Sequence, residues 1–437
     1  MNAIHHVAVA SRDGAAERRT TRRTVVAAAL GNGLEFFDFT VYSFFAVVIG
    51  KLFFPVGTDL GALMMSLATF GVGFVVRPLG SVLIGAYADR VGRKQALVMT
   101  VVMMALGTGI IGLAPTYDMI GIAAPALIVI GRLLQGFAAG GEVGAATTLL
   151  MESGSAGRRG SLVSWQMASQ GGAALAGALV AATVSRTLSH DALLAWGWRV
   201  PFIMGLLIGP VGFYLRRHLD ETLPHAGEQS NASASISVAK VDRRISARQV
   251  VAGTMLVIGG TSTMYTMVFF LPSFLTLTLG MPSAVSLVAG CIAGLVLLIG
   301  SPFAGKLADR MRHRKTLLYI VSAISLTLLL PAFYAIQHWP SIVTVVVAVS
   351  ALTGLMTVSS PAGFVLILES LRPEVRATSL GIIYSLGVTL FGGFAQLIVS
   401  GLYRATGSFY APAWYVLACG VVSLAGIVMY REAPVAD

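Results

Sequence analysis

The sequence predicts an all-α integral membrane protein, with twelve transmembrane helices in two pseudo-symmetric bundles of six. Three observations lead there. The residues AVILMFWYC make up 56% of the chain and charged residues only 11%, against about 25% charged in a typical globular domain, and the mean hydropathy is +0.81. The apolar residues gather in stretches of about 20 or more, the length a bilayer crossing requires. Two motifs recur about 220 residues apart, the mark of a duplicated unit.

In chain order the apolar stretches lie at 24–50, 60–88, 96–114, 120–150, 161–185, 198–215, 249–278, 283–307, 316–336, 341–368, 377–402 and 411–430. Residues 1–23 carry Arg12, Arg18, Arg19, Arg22 and Arg23. The stretch that follows is too long for a signal-peptide core and lacks a cleavage site, so this segment is expected to be a cytoplasmic tail ahead of a retained first span. Most remaining cations fall on the same side: Arg90 to Lys94, Arg158 and Arg159, the 216–248 segment, Lys306 to Lys315, Arg372, Arg376 and Arg431. Lys51, Arg186, Arg199 and Arg404 fall on the other. The positive-inside rule then puts both termini in the cytoplasm. Residues 24–215 and 249–430 form the two bundles, 216–248 a polar cytoplasmic linker and 431–437 a cytoplasmic tail.

The pI near 9.9 does not indicate a nucleic-acid partner, because the cations sit at the ends of apolar segments. Cys291 and Cys419 both lie in apolar runs and are expected to be packed thiols. "SHD" at 189–191 cannot form a nucleophilic triad, since three consecutive residues do not reach the required geometry; it is expected to be an external loop that caps a helix. No P-loop, dinucleotide fingerprint or metal-spaced Cys/His cluster is present. Neither cofactor nor metal is therefore expected.

The repeats are "GAYADRVGRK" (85–94) against "GKLADRMRHRK" (305–315), and "MESGSAGRRGS" (151–161) against "LESLRPEVRAT" (368–378). The first pair resembles the G-x-x-x-D-R-x-G-R-[RK] loop motif of the major facilitator superfamily, whose members alternate access by rocking two six-helix halves. Gly85 is expected to permit close helix approach, and Asp89 to accept hydrogen bonds from the N-terminus of a neighbouring helix. Asp309 and Arg310 are their echoes in the second half. Arg90, Arg93 and Lys94 are expected to pair with Glu152 or Glu369 when the inner side closes, so that these loops act as a gating latch. The competing reading is that the charges only anchor topology. At His313 the second copy lacks the glycine, and its tight turn is not expected there.

Ionised side chains within a span are expensive, and mark functional sites by default. Five stand out: Glu35, Asp38, Arg77, Arg132 and Glu142. Arg77 lies 12 residues before Asp89, about 18 Å from the cytoplasmic end, and its counterpart in the second half is Leu297. Asn32, Glu35, Asp38 and Tyr42 share one helical face, and Gln135 stands one turn from Arg132. A polar stripe on an apolar helix is expected to face a cavity. The alternative is a set of ion pairs that lock helices together, for example Arg77 or Arg132 with Asp38. In the second half "TSTMYTM" (261–267) and "TVSSPAG" (357–363) bring hydroxyls without charge.

Five stretches resemble the metabolite:proton symporter family, most closely its citrate-proton branch: "GLEFFDFTVYSFFAVVIGKLFFP" (33–55), "RPLGSVLIGAYADRVGRK" (77–94), "APALIVIGRLLQGF" (124–137), "SWQMASQ" (164–170) and "SHDALLAWGWRVPF" (189–202). The resemblance implies a monomer in a bacterial inner membrane that takes up a carboxylate, citrate or a related tricarboxylate such as tricarballylate, together with protons. Dicarboxylates, shikimate, aromatic acids and osmolytes are alternatives carried on the same scaffold. A drug/proton antiporter or a non-transporting receptor fits less well, given two arginines within spans and short termini. On this reading Arg77 and Arg132 bind substrate carboxylates. Asn32, Tyr42, Gln135, Gln166, Gln170, Thr261, Thr263 and Tyr265 complete the site. Glu35, Asp38 and Glu142 carry protons, because burial favours a neutral carboxyl and a neighbouring arginine an ionised one.

Overall fold

The computed structural model describes residues 2–217, 246–430 and 432. Most of the expected linker and of the C-terminal tail therefore lies outside the described residues. Within them the chain forms only helices: α1 Asn2–Phe44, α2 Ala46–Phe53, α3 Asp59–Val75, α4 Arg77–Val91, α5 Arg93–Leu113, α6 Tyr117–Ile120, α7 Ala123–Glu152, α8 Arg159–Thr187, α9 His190–Ala192 and α10 Arg199–Arg217. The second half holds α11 Ala247–Met264, α12 Leu271–Leu279, α13 Ser283–Arg310, α14 Arg314–His338, α15 Ile342–Ser370, α16 Arg376–Val388, α17 Ala395–Thr406 and α18 Ala411–Met429.

Ten spans, some joining helices across short breaks, are long and apolar enough to cross a membrane, and the α1–α2 pair, bent by 68°, makes an eleventh. The 19-residue α10 stands where the sixth stretch was expected and extends about 28 Å. Each of the twelve stretches thus has its helix. Prolines inside α10, α13, α14 and α15 are tolerated as they are in spans whose neighbours restore the lost hydrogen bonds. As the sequence suggested, Ser189 caps a helix, its Oγ accepting from the Ala192 amide at 3.3 Å.

In lipid, apolar side chains gain little by exchanging lipid for protein, so small residues set which helices meet. The contact of α3 and α4 with α7 shows this. A Cβ on Gly136 or Gly140 would overlap the backbone carbonyl of Gly73 or Arg77, so these glycines let the Arg77 backbone lie directly on α7. Between the bundles, α4 packs on α16 and α8 on α13. These are second span on eleventh and fifth span on eighth, and the duplication exchanges one pair for the other.

The two copies of the loop motif differ as their sequences do. Gly92 joins α4 to α5 alone, at φ 136°, a conformation open to glycine. Three residues, Met311 to His313, join α13 to α14, and His313 is extended at φ −119°. The second turn is wider and needs no glycine. Two π-helical segments, Tyr265–Phe270 and Thr389–Gly393, interrupt the seventh and eleventh spans, a feature often found at functional sites.

Candidate functional site: a buried charge cluster and a paired latch

The polar stripe of α1 is wholly buried, with Asn32, Glu35 and Tyr42 at 0% exposure and Asp38 at 1%. Each member meets a different helix. Asn32 donates to the Gln166 carbonyl at 2.9 Å and to Ser169 Oγ at 2.7 Å on α8, and Gln166 donates back to Asn32 Oδ1 at 2.8 Å. Glu35 accepts from Arg77 Nη2 on α4 at 3.0 Å. Asp38 lies 3.6 Å from Arg132 Nη1 on α7 and accepts from Gln135 Nε2. Tyr42 donates to the Ser66 carbonyl on α3 at 3.1 Å.

Each arginine keeps two nitrogens without a hydrogen bond, Nε and Nη1 of Arg77 and Nε and Nη2 of Arg132, and the two differ in what surrounds them. Arg132 donates to Gln135 Oε1 at 2.8 Å, Gln135 also donates to Thr108 Oγ1 at 3.0 Å, and the guanidinium lies 3.7 Å over the Tyr42 ring. All these partners belong to the first bundle. Arg77 stacks 4.1 Å over Phe74 and 4.9 Å from Phe39. Across the bundle interface, Tyr265 packs edge-on against Phe74 with centroids 5.6 Å apart. Its buried hydroxyl also lacks a hydrogen bond. Tyr265 and Tyr384 both lie within electrostatic reach of Arg77 and Glu35. The second bundle thus faces the Glu35–Arg77 pair.

A cavity of about 140 Å³ opens from this point into the second bundle, and Gln170, Thr261, Thr263, Tyr265 and Tyr384 are among its lining. The Thr263 hydroxyl is spent on its own helix, donating to Gly259 O at 2.8 Å. Glu142 is fully buried on α7, seven residues past Gln135 on the same face. The structure therefore gathers Glu35, Asp38, Arg77, Arg132, Gln135 and Tyr42 in one cluster that Tyr265 approaches, and it ties Asn32 and Gln166 to each other. Thr108, Ser66 and the Phe39/Phe70/Phe74 wall escaped the sequence reading. Phenylalanine occurs 21 times, so no signal set these three apart.

At the basic end of the bundles the duplicated motifs meet crosswise. Asp89 accepts from the Thr378 amide at 2.9 Å and from its hydroxyl at 2.5 Å, at the start of α16. Asp309 accepts from the Gly160 and Ser161 amides at 2.6 and 2.8 Å, at the start of α8. Beside them Glu152 takes Arg93 at 2.9 Å and Arg376 at 3.0 Å, while Glu369 takes Arg159 at 3.0 Å and also Arg314. The two halves thus hold each other through the same contact made twice. A Cβ on Gly85 would stand 3.0 Å from Thr378 Cα, so the glycine allows this approach.

Two of the expected latch residues are placed otherwise. Arg90 and Arg310 are exposed, and Arg159, Arg314 and Arg376 take the glutamates instead. The physical reason is helical phase. Arg93 and Arg314 open their helices and sit against the bundle interface, whereas Arg90 and Arg310, one residue past each aspartate, are turned away by about 100°.

The model of the Major Facilitator Superfamily matches residues 28–396. Citrate-proton symporters of Salmonella typhi and Klebsiella pneumoniae are 33% and 34% identical, over 95% and 93% of this chain and 95% and 91% of theirs. The alpha-ketoglutarate permease of Escherichia coli is 31% identical over 94% of this chain and 95% of its own. The glycine betaine/proline/ectoine/pipecolic acid transporter OusA of Dickeya dadantii is 33% identical over 94% and 83%. Among solved structures, the proton:xylose symporter XylE superposes with a TM-score of 0.75 at 17% identity, covering 94% of this chain and 95% of that one. With the twelve-helix fold and the crosswise contacts between the halves, these matches establish that the chain belongs to the major facilitator superfamily, a family of membrane transporters.

Proposed function

We propose that this protein is a proton symporter that carries a carboxylate, citrate or a related tricarboxylate, into the cell across a bacterial inner membrane. The supporting observation is the state of Arg77. It is 1% exposed, paired with Glu35 through one nitrogen, keeps Nε and Nη1 without a hydrogen bond, and, unlike Arg132, faces Tyr265 of the second bundle across the Phe74 ring. A buried cation with spare donors suits a second anion, and the planar fork of arginine suits a carboxylate. The citrate-proton symporters among the relatives favour a tricarboxylate. The relatives that carry alpha-ketoglutarate and betaines keep those substrates as the second reading.

Arg77 is the substrate arginine on this account. Arriving carboxylate competes with Glu35 for the guanidinium, and a buried Glu35 released from its cation takes up a proton. Arg132 is surrounded by Asp38, Gln135 and Tyr42 of the first bundle, so on this account it serves the proton side with Asp38, and its role as a direct ligand is secondary. Protons are needed because each negative charge entering a negative-inside cell costs about 2.3 kcal/mol per 100 mV.

Alternating access follows from the latch. The basic end, cytoplasmic by the positive-inside rule, is held by ion pairs and helix-terminal hydrogen bonds. Among the described residues the opposite end is joined by the Thr389 hydroxyl donating to the Phe74 carbonyl at 2.7 Å, by Phe394 against Gly71 and by Arg404 Nη1 at 3.7 Å from the Met64 sulfur. Opening outward therefore breaks less than opening inward. A binding screen of the purified protein over di- and tricarboxylic acids, betaines and cationic dyes tests the substrate class. Saturable binding of betaine or dye with no response to any carboxylate would refute the proposal.

A further inference from the structure

Away from the central site, the basic end of the second bundle holds an open cavity of about 420 Å³. It lies where the start of α11 and the end of α18 meet the segment joining α15 to α16. Ser246, Arg248, Ser370, Arg372, Ser379 and Tyr430 are among its lining, and the described lining includes no carboxylate. The 18-residue α11 begins here with Ser246 making no side-chain cap hydrogen bond. The first turn of α11 brings backbone amides and the positive end of the helix dipole to the cavity, a setting that favours an anion. Ser379 supplies an independent observation: it is 0% exposed, lines the cavity, and its Oγ makes no hydrogen bond. A buried hydroxyl without a partner is costly, and native structures rarely leave one.

We infer that this cavity is an anion site of phosphate chemistry, held by Arg248, Arg372, the first amides of α11 and the Ser379 hydroxyl. Phosphate offers charge and several acceptor oxygens to a lining dominated by donors and cations. Inorganic phosphate and the phosphodiester of an anionic phospholipid share that chemistry. Its position also gives it leverage on the latch. Ser379 follows Thr378, whose amide holds Asp89, and Ser370 follows Glu369, which holds Arg159 and Arg314. An anion bridging α11 to this segment ties down the inner end of the second bundle in its closed arrangement, and slows inward opening.

Hydrogen exchange of the 437-residue chain in nanodiscs tests this without reference to the transported substrate. Three conditions are compared: phosphatidylcholine alone, phosphatidylcholine with added inorganic phosphate, and phosphatidylcholine mixed with phosphatidylglycerol. The amides of 247–252 and 377–380 should slow by about threefold or more when either phosphate source is present, as local opening becomes rarer. Slowing by inorganic phosphate assigns a soluble anion, and slowing by phosphatidylglycerol alone assigns a headgroup; both support the site. The effect should vanish in Arg248→Gln/Arg372→Gln and shrink in Ser379→Ala. No slowing with either source, or equal slowing in the double variant, overturns the proposal. The wild-type comparison decides the matter even where a variant fails to fold.

Discussion

Arg77 and Glu35 form an ion pair at 3.0 Å in which both side chains are sealed from solvent, at 1% and 0% exposure. Such a pair is a poor source of stability, because desolvation offsets most of the attraction. It is well suited to a site whose occupant must compete for the cation. Arg77→Ala should therefore weaken citrate binding by about 10- to 100-fold, the worth of one or two charge-assisted hydrogen bonds of about 1.5–3 kcal/mol. Isothermal titration of the purified variant reads this, and unchanged affinity would remove Arg77 from the site.

Glu35→Gln keeps the shape and abolishes the charge. Citrate exchange between internal and external pools should persist, while accumulation driven by a pH gradient is lost. If Glu35→Gln still concentrated citrate against its gradient, Glu35 would not be a coupling carboxylate and the role would pass to Asp38 or Glu142.

Asp38 and Arg132 form a second buried ion pair, 3.6 Å apart. Asp38→Asn strands a buried guanidinium and should destabilise the protein by about 3–5 kcal/mol, whereas Asp38→Asn/Arg132→Gln should recover a large part of that loss. Thermal unfolding of the single and double variants measures the coupling. Additive losses would mean that the two side chains do not interact.

Gly140 carries the backbone of Arg77, and Gly157 faces open space. Gly140→Ala should cost about 1–3 kcal/mol by overpacking and displace Arg77, lowering both stability and citrate affinity. Gly157→Ala should leave both within error. Equal behaviour of the two variants would show that the α4–α7 contact is not what positions the arginine.

The latch makes the clearest conformational prediction. Asp89→Asn and Asp309→Asn each weaken a carboxylate held at a helix start, so labels at the exposed positions 90 and 310 should move apart, with a larger shift in the double variant. A distance distribution identical to wild type in all three would deny the aspartates a gating role.

The fold was legible in the sequence because it rests on features that a sequence displays directly: span length, the sidedness of cations, and a duplicated motif. The latch was half legible. Asp89, Asp309, Glu152 and Glu369 stood at matched offsets, and the structure pairs them crosswise. Which arginines meet them depends on helical phase at the loop ends, which sets Arg93 with Arg376 on Glu152 and Arg159 with Arg314 on Glu369, and leaves Arg90 and Arg310 exposed. In the centre, buried charge announced Glu35, Asp38, Arg77 and Arg132. Their pairing was not legible, because Asp38 and Glu35 are one turn apart and either could serve either arginine. That Arg132 is enclosed while Arg77 faces the second bundle follows from the rings of Phe74 and Tyr265, which the sequence left indistinct among many aromatics.

The central claim is that substrate and proton meet at Arg77 and Glu35. The most direct measurement is uptake of labelled citrate into proteoliposomes under an imposed inward proton gradient, for wild type, Arg77→Ala and Glu35→Gln in parallel. The account predicts gradient-driven accumulation by wild type, no uptake by Arg77→Ala, and exchange without accumulation by Glu35→Gln. Wild-type uptake indifferent to the gradient, or Arg77→Ala accumulating citrate as wild type does, would contradict it.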